Sequence, residues 1–160
     1  MKYLKNERGL SLVELLATLV ITSMIGIIVY AILFNGFKTY DRVKIESELR
    51  NEADIIMAEL ISDLFTLRSS EIISKHLPQN HSNNYFIESN KGITGFYEGK
   101  VYLKDESTKA LQTGLIKLGN DSKITEMDNG RFHISLTLEW TENKQTLMTK
   151  SEVSIINDTE

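Results

Sequence analysis

One carboxylate, Glu14, sits inside an otherwise apolar stretch, four residues after Leu10. A charged side chain at the centre of a membrane helix costs about 2.5–3.5 kcal/mol on insertion scales, and less near the end of a span. The chemistry open to such a group is pairing with a cation in a low-dielectric setting, where the attraction is strong. Lys2, Lys5 and Arg8 precede it, but their charges can remain in the aqueous headgroup zone. Elsewhere the groups that could do chemistry are few. The histidines are His76, His81 and His133, and no three of them fall in metal-ligand spacing or in an H-E-x-x-H pattern. His76 and His81 read as exposed residues in or beside a polar loop, and His133 as a residue on the polar face of a strand. Asn120, Asp121, Asp128 and Asn129 suggest calcium, yet their spacing does not match an EF-hand loop, and turn formation is the better reading. There is no G-x-S-x-G and no Gly-rich phosphate loop. With no cysteine, a thiolate nucleophile, a disulfide and a Cys-based metal site are all excluded. The residues therefore predict no catalytic site, no metal and no cofactor.

The elements that carry these residues follow from pattern. The chain has 160 residues, enough for one modest domain. Hydrophobic residues are 41% of it, with a large share between Leu10 and Phe37. From Leu15 to Phe37 there is no charge. As a helix, Leu10 to Phe34 rises roughly 37 Å, enough to cross a hydrocarbon core of about 30 Å. That is too long for a signal-peptide core, typically about 7–15 residues, and no small-x-small cleavage pattern closes it. The basic residues ahead of it tend to stay in the cytoplasm. The segment should remain in the chain and span a membrane.

From Lys38 to Lys75 there is neither proline nor glycine. Apolar residues fall at Leu49, Ala53, Ile56, Leu60, Leu64 and Leu67, with Met57 and Ile61 widening the stripe. This spacing marks one buried helix face. Glu46, Arg50, Glu52 and Glu59 are expected on the other sides, with Glu46 and Arg50 an i,i+4 pair. The expectation is one helix from about Leu10 to Ile73, its second half packed on the C-terminal domain, with a coiled coil as the alternative. Pro78 and Gln79 to Asn84 read as a loop. Strands are expected at Tyr85–Ile87, Ile93–Tyr97, Lys100–Leu103, Leu115–Leu118, Arg131–Trp140 and Gln145–Ile156. Glu98-Gly99 and Thr141–Lys144 should be turns. Trp140 is expected to close the core, and Tyr97 and Tyr102 could form a contact surface. The predicted fold is α+β, a long N-terminal helix on a meandering antiparallel sheet. The net charge of -4 and pI near 5.5 argue against direct nucleic-acid binding.

The run Arg8-Gly9-Leu10-Ser11-Leu12-Val13-Glu14-Leu15-Leu16 resembles the processing motif of type IV prepilins and type II secretion pseudopilins. The resemblance covers Lys5 to Phe37 and implies a pilin-like fold. It also implies cleavage between Gly9 and Leu10 by a prepilin peptidase that then methylates the Leu10 amine. Glu14 is the family's signature acid, facing the N-terminal amine of a neighbouring subunit. Glycine before the cut can approach an enzyme closely, and the new α-amine is mostly cationic at neutral pH. The division implied is a leader at 1–9, a transmembrane or filament-core helix at 10–37, its amphipathic continuation at 38–75, and a β-rich extracytoplasmic head at 76–160. The implied partners are other pilin or pseudopilin subunits, an assembly platform protein and the membrane. The finished filament would lie at the cell surface. Leu10 stands where phenylalanine is commoner, and Ala31 where major pilins often have proline, leaving Gly26 and Gly36 as the weak points of the helix. These departures point to a minor subunit. Such filaments serve DNA uptake, secretion, adhesion or motility. The alternative is a single-pass, signal-anchored extracellular binding domain that never assembles.

Overall fold

A computed structural model describes residues 11–76, 85–103, 106–109, 111, 114–127 and 130–158. The chain divides into two units, Met1–Val43 and Lys44–Glu160. Helix α1 spans Leu12–Phe65 and contributes to both. In the first unit it is helical through Gly26 and Gly36, and its apolar side chains are exposed from Leu12 to Val43.

The second unit has the predicted α+β arrangement. The buried face of α1 is Leu49, Ala53, Ile56, Met57, Leu60 and Leu64, the stripe expected from spacing. Burying each large side chain fully stabilises the fold by roughly 1.5–3 kcal/mol relative to exposure. Glu52 departs from expectation: it is buried rather than on a solvated side. The i,i+4 pair of Glu46 and Arg50 does form, at 3.4 Å on the surface, where such pairs contribute little.

The helix ends at Phe65, eight residues before the expected end near Ile73. Leu67 N–H donates to Leu64 O at 3.1 Å, tightening the last turn. Arg68 then pairs in parallel with Ile156. A 3-10 turn, Ser69–Glu71, leads into a strand, β1 (Ile72–His76), where helix was expected. The stop is tertiary in origin. Ser69 N–H donates to Ile156 O, and Ile156 N–H donates to Leu67 O, both at 2.9 Å. Asp158 completes this C-terminal clasp, accepting from Ser70 N–H at 3.0 Å and from Ser70 Oγ at 2.6 Å. These bonds hold the Asp158 carboxyl below its ordinary value of 3.8.

Two sheets replace the single expected meander. The first runs β1, β2 (Tyr85–Ser89), β3 (Gly92–Tyr97), β4 (Lys100–Leu103) and β5 (Glu106–Lys109), all antiparallel neighbours. Glu98 and Gly99, at φ 49° and 72°, form the expected two-residue turn between β3 and β4. The second sheet is built on β8 (Arg131–Trp140). Its hairpin partner β9 (Thr146–Ser154) lies on one edge. On the other edge, β6 (Ile116–Leu118) and β7 (Lys123–Glu126) lie end to end. Phe132, Ile134, Leu136, Leu138 and Trp140 are buried as the alternation predicts. Ser135 and Thr137, on the other face, are buried as well.

Ser122 bridges the gap between β6 and β7. Its buried hydroxyl donates to Thr137 O at 3.1 Å and accepts Thr137 N–H at 3.0 Å. It replaces the ladder bonds that an unbroken edge strand would supply. Ser122→Ala leaves Thr137 N–H buried without that acceptor, at a cost of about 1–3 kcal/mol. Urea unfolding in non-ionic detergent should show a lower midpoint with an unchanged slope; an unchanged midpoint would refute this role.

Candidate functional site: the start of the apolar helix

The predicted processing residues Gly9 and Leu10 lie outside the described residues, as do His81, Asp128 and Asn129. Glu14 is described, at the third helical position after Ser11. Its carboxylate Oε2 accepts the Ser11 N–H at 3.0 Å. In return, Glu14 N–H donates to Ser11 Oγ at 3.2 Å. This reciprocal pair is a capping box, which satisfies two backbone donors left open by the first turn of a helix. The carboxylate also lies at the positive end of the helix dipole. The sequence signal was Ser-x-x-Glu just ahead of an apolar run, and reading Glu14 only as a membrane charge missed it.

Downstream, several polar side chains turn back onto the helix. Thr18 Oγ1 donates to Leu15 O at 2.9 Å, Ser23 Oγ to Val20 O at 2.7 Å, and Thr39 Oγ1 to Asn35 O at 2.9 Å. Hydroxyls bonded in this way can face lipid without an unmet donor. Tyr30 and Phe34 stack at 6.0 Å, and the Lys38 ammonium lies 4.5 Å from the Phe34 ring centre. Lys38 is thus the first cation after the apolar run, placed over its last aromatic turn. The helix is long and apolar enough to cross a membrane, and none of its most apolar window is buried within the chain.

Residues 4–30 match the family model for the prokaryotic N-terminal methylation motif. The chain carries the prepilin-type motif. The match supports a precursor like those of type IV pilins and pseudopilins, and it is confined to the N-terminal part of the chain. For a prepilin-type chain, the motif implies processing by a prepilin peptidase, assembly with other pilins and anchoring in a membrane. No curated protein and no solved structure matches the chain.

The other residues raised by the sequence lie in the second unit. Among the described residues, no group of three His, Asp or Glu side chains could hold a metal ion. Asn120 and Asp121 form the turn between β6 and β7. His76 is exposed, as expected, at the last position of β1, with its ring stacked on Phe86 at 4.4 Å. Phe86 meets Tyr97 at 5.2 Å and Tyr97 meets Tyr102 at 5.9 Å, so the two tyrosines belong to a row of rings across the first sheet. His133 is half-buried in β8, its Nδ1 3.7 Å from Glu152 Oε1. Trp140 is buried, and among the described residues its Nε1 has no hydrogen-bond partner.

Proposed function

We propose that this chain is a minor pilin or pseudopilin of a type IV pilus-like filament, assembled through its N-terminal helix. A prepilin peptidase cuts between Gly9 and Leu10 and methylates the Leu10 amine. Residues 1–9 are the cytoplasmic leader. Residues 10–37 cross the membrane before assembly and line the filament core afterwards. The amphipathic part of α1 and the β-rich segment beyond it form the extracytoplasmic head. Glu14 pairs with the N-terminal amine of a neighbouring subunit and sets axial register, because an unpaired buried carboxylate is penalised. The observation that carries this reading is the methylation-motif match at residues 4–30, on a helix whose apolar side chains from Leu12 to Val43 are exposed. Leu10 and Ala31, where major pilins favour phenylalanine and proline, support the minor role.

One observation favours the second reading, a signal-anchored extracellular domain that never assembles. The capping box gives Glu14 a local task that a simple anchor would also use. An acid at this position therefore does not by itself separate the two readings. Intact mass and N-terminal sequencing of protein from its native host do separate them. The expected product begins at N-methyl-Leu10. A full-length leader in cells with an active prepilin peptidase would overturn the proposal.

A further inference from the structure

On the second sheet, Lys123 of β7, Ser135 of β8 and Lys150 of β9 stand directly opposite one another. Residues opposite across antiparallel strands share a face, with Cβ atoms about 4.5–5.5 Å apart. The two lysines therefore flank Ser135, their stems roughly 10 Å from each other. The next row places Thr125, His133 and Glu152 in the same relation. Of these two rows, all but Glu152 line a cleft of about 460 Å³. Tyr85 and the turn residues Asn120 and Asp121 also line it.

Three observations make this cleft more than a solvated surface. Ser135 is 2% exposed, yet its hydroxyl lines the cleft and makes no hydrogen bond among the described residues. Lys123 and Lys150 make no ion pair among the described residues, whereas Lys75, Lys91 and Lys117 of the same unit each meet a carboxylate at 2.7–3.1 Å. The two ammonium groups also share one cleft, where each raises the cost of the other unless an anion lies between them.

We propose that this cleft binds a phosphate group carried on a polyol, a glycerol phosphate or sugar phosphate. Lys123 and Lys150 take the phosphate through charge-assisted hydrogen bonds, and the Ser135 hydroxyl donates from the floor. The cleft is larger than one phosphate requires. Its remaining lining suits hydroxylated carbon: the Asn120 amide donates and accepts, the Asp121 carboxylate accepts from hydroxyls, and the Tyr85 ring offers an apolar face. Asp121 also disfavours a second phosphate. A polynucleotide needs a run of cations along its backbone, and here the two lysines share the cleft with Asp121, while Glu152 stands opposite His133 in the adjoining row. The site is independent of whether the chain assembles into filaments.

The test is calorimetric titration of the full chain in a polyoxyethylene detergent with glycerol 3-phosphate, inorganic phosphate, glycerol and a short single-stranded oligonucleotide. Glycerol 3-phosphate should bind saturably, about tenfold or more tighter than either inorganic phosphate or glycerol. Lys123→Gln with Lys150→Gln should weaken it by about tenfold or more. Lys123→Arg with Lys150→Arg should retain binding, and both double variants should keep the wild-type unfolding temperature because the lysines are exposed. Absent binding of glycerol 3-phosphate, or affinity unchanged by the glutamine pair, overturns the site. Equal affinity for inorganic phosphate overturns the polyol assignment. Tighter, lysine-dependent binding of the oligonucleotide reassigns the cleft to nucleic acid and overturns the proposal.

Discussion

Gly95→Ala is expected to destabilise the head by roughly 2–5 kcal/mol, enough to leave much of a marginally stable chain unfolded. Gly95 sits in mid-strand at φ +137°, a conformation that side chains rarely adopt. A Cβ there would press on the Tyr85 carbonyl oxygen and come within 2.7 Å of the Phe86 Cα. Both are backbone atoms of the neighbouring strand, so relief requires parting β2 from β3. The same position lets the ring row across His76, Phe86, Tyr97 and Tyr102 form, because Gly95 lies opposite Phe86 and Tyr102 without a side chain of its own. Gly99→Ala is the control. Gly99 also has positive φ, at 72°, but a Cβ there meets nothing within 4 Å. Its cost should stay near 1 kcal/mol. Urea unfolding of both variants in detergent measures the difference, and equal midpoints would refute the steric account.

Replacing Glu14 should reduce entry into filaments at least tenfold, and the choice of substitute separates its two roles. Glutamine can hold the capping box with Ser11 but carries no charge. Alanine loses both. If Glu14 pairs with the Leu10 amine of a neighbour, Glu14→Gln and Glu14→Ala are both excluded from sheared filaments while remaining in the membrane. If the acid only caps its own helix, glutamine behaves as wild type and alanine costs about 0.5–2 kcal/mol of helix stability. Recovery of Glu14→Gln subunits in filaments at the wild-type level would refute the pairing role. In the pairing case the Ser11 cap competes with the neighbour's amine for the Glu14 carboxylate.

The elements that local pattern governs were legible in the sequence. The α1 stripe, the β8 alternation and the Glu98-Gly99 turn each rest on side chains within a few residues of one another. The errors share a different origin. Nothing between Phe65 and Ile72 breaks a helix by composition. The stop is imposed by Ile156 and Asp158, far along the chain, so no local window contains it. The short strand β7 lacked the length to register as a pattern, and its edge is completed by a Ser122 side chain rather than by backbone. Glu52 reads as a surface charge because its type outweighs its position, yet it is buried beside Ala53 on the packed side of α1. At the N-terminal site the motif was clear, while the Ser11–Glu14 box was present in the letters and overlooked beside the stronger membrane argument. The Lys123–Ser135–Lys150 row was not legible at all, since only the strand register brings those three residues together.

The clasp at the end of α1 also sets an order on folding. Ser69 and Ser70 bond to residues 87–88 positions later in the chain. Contacts of such separation come late, because the intervening loop must be ordered before they yield anything. A nascent chain exposed only through β8 has not yet presented Ile156 or Asp158. Until those residues emerge, the stretch after Phe65 lacks the partner that ends the helix there. The second unit is therefore completed only after residues 156–158 have emerged, well after the apolar N-terminal run has become available to a membrane.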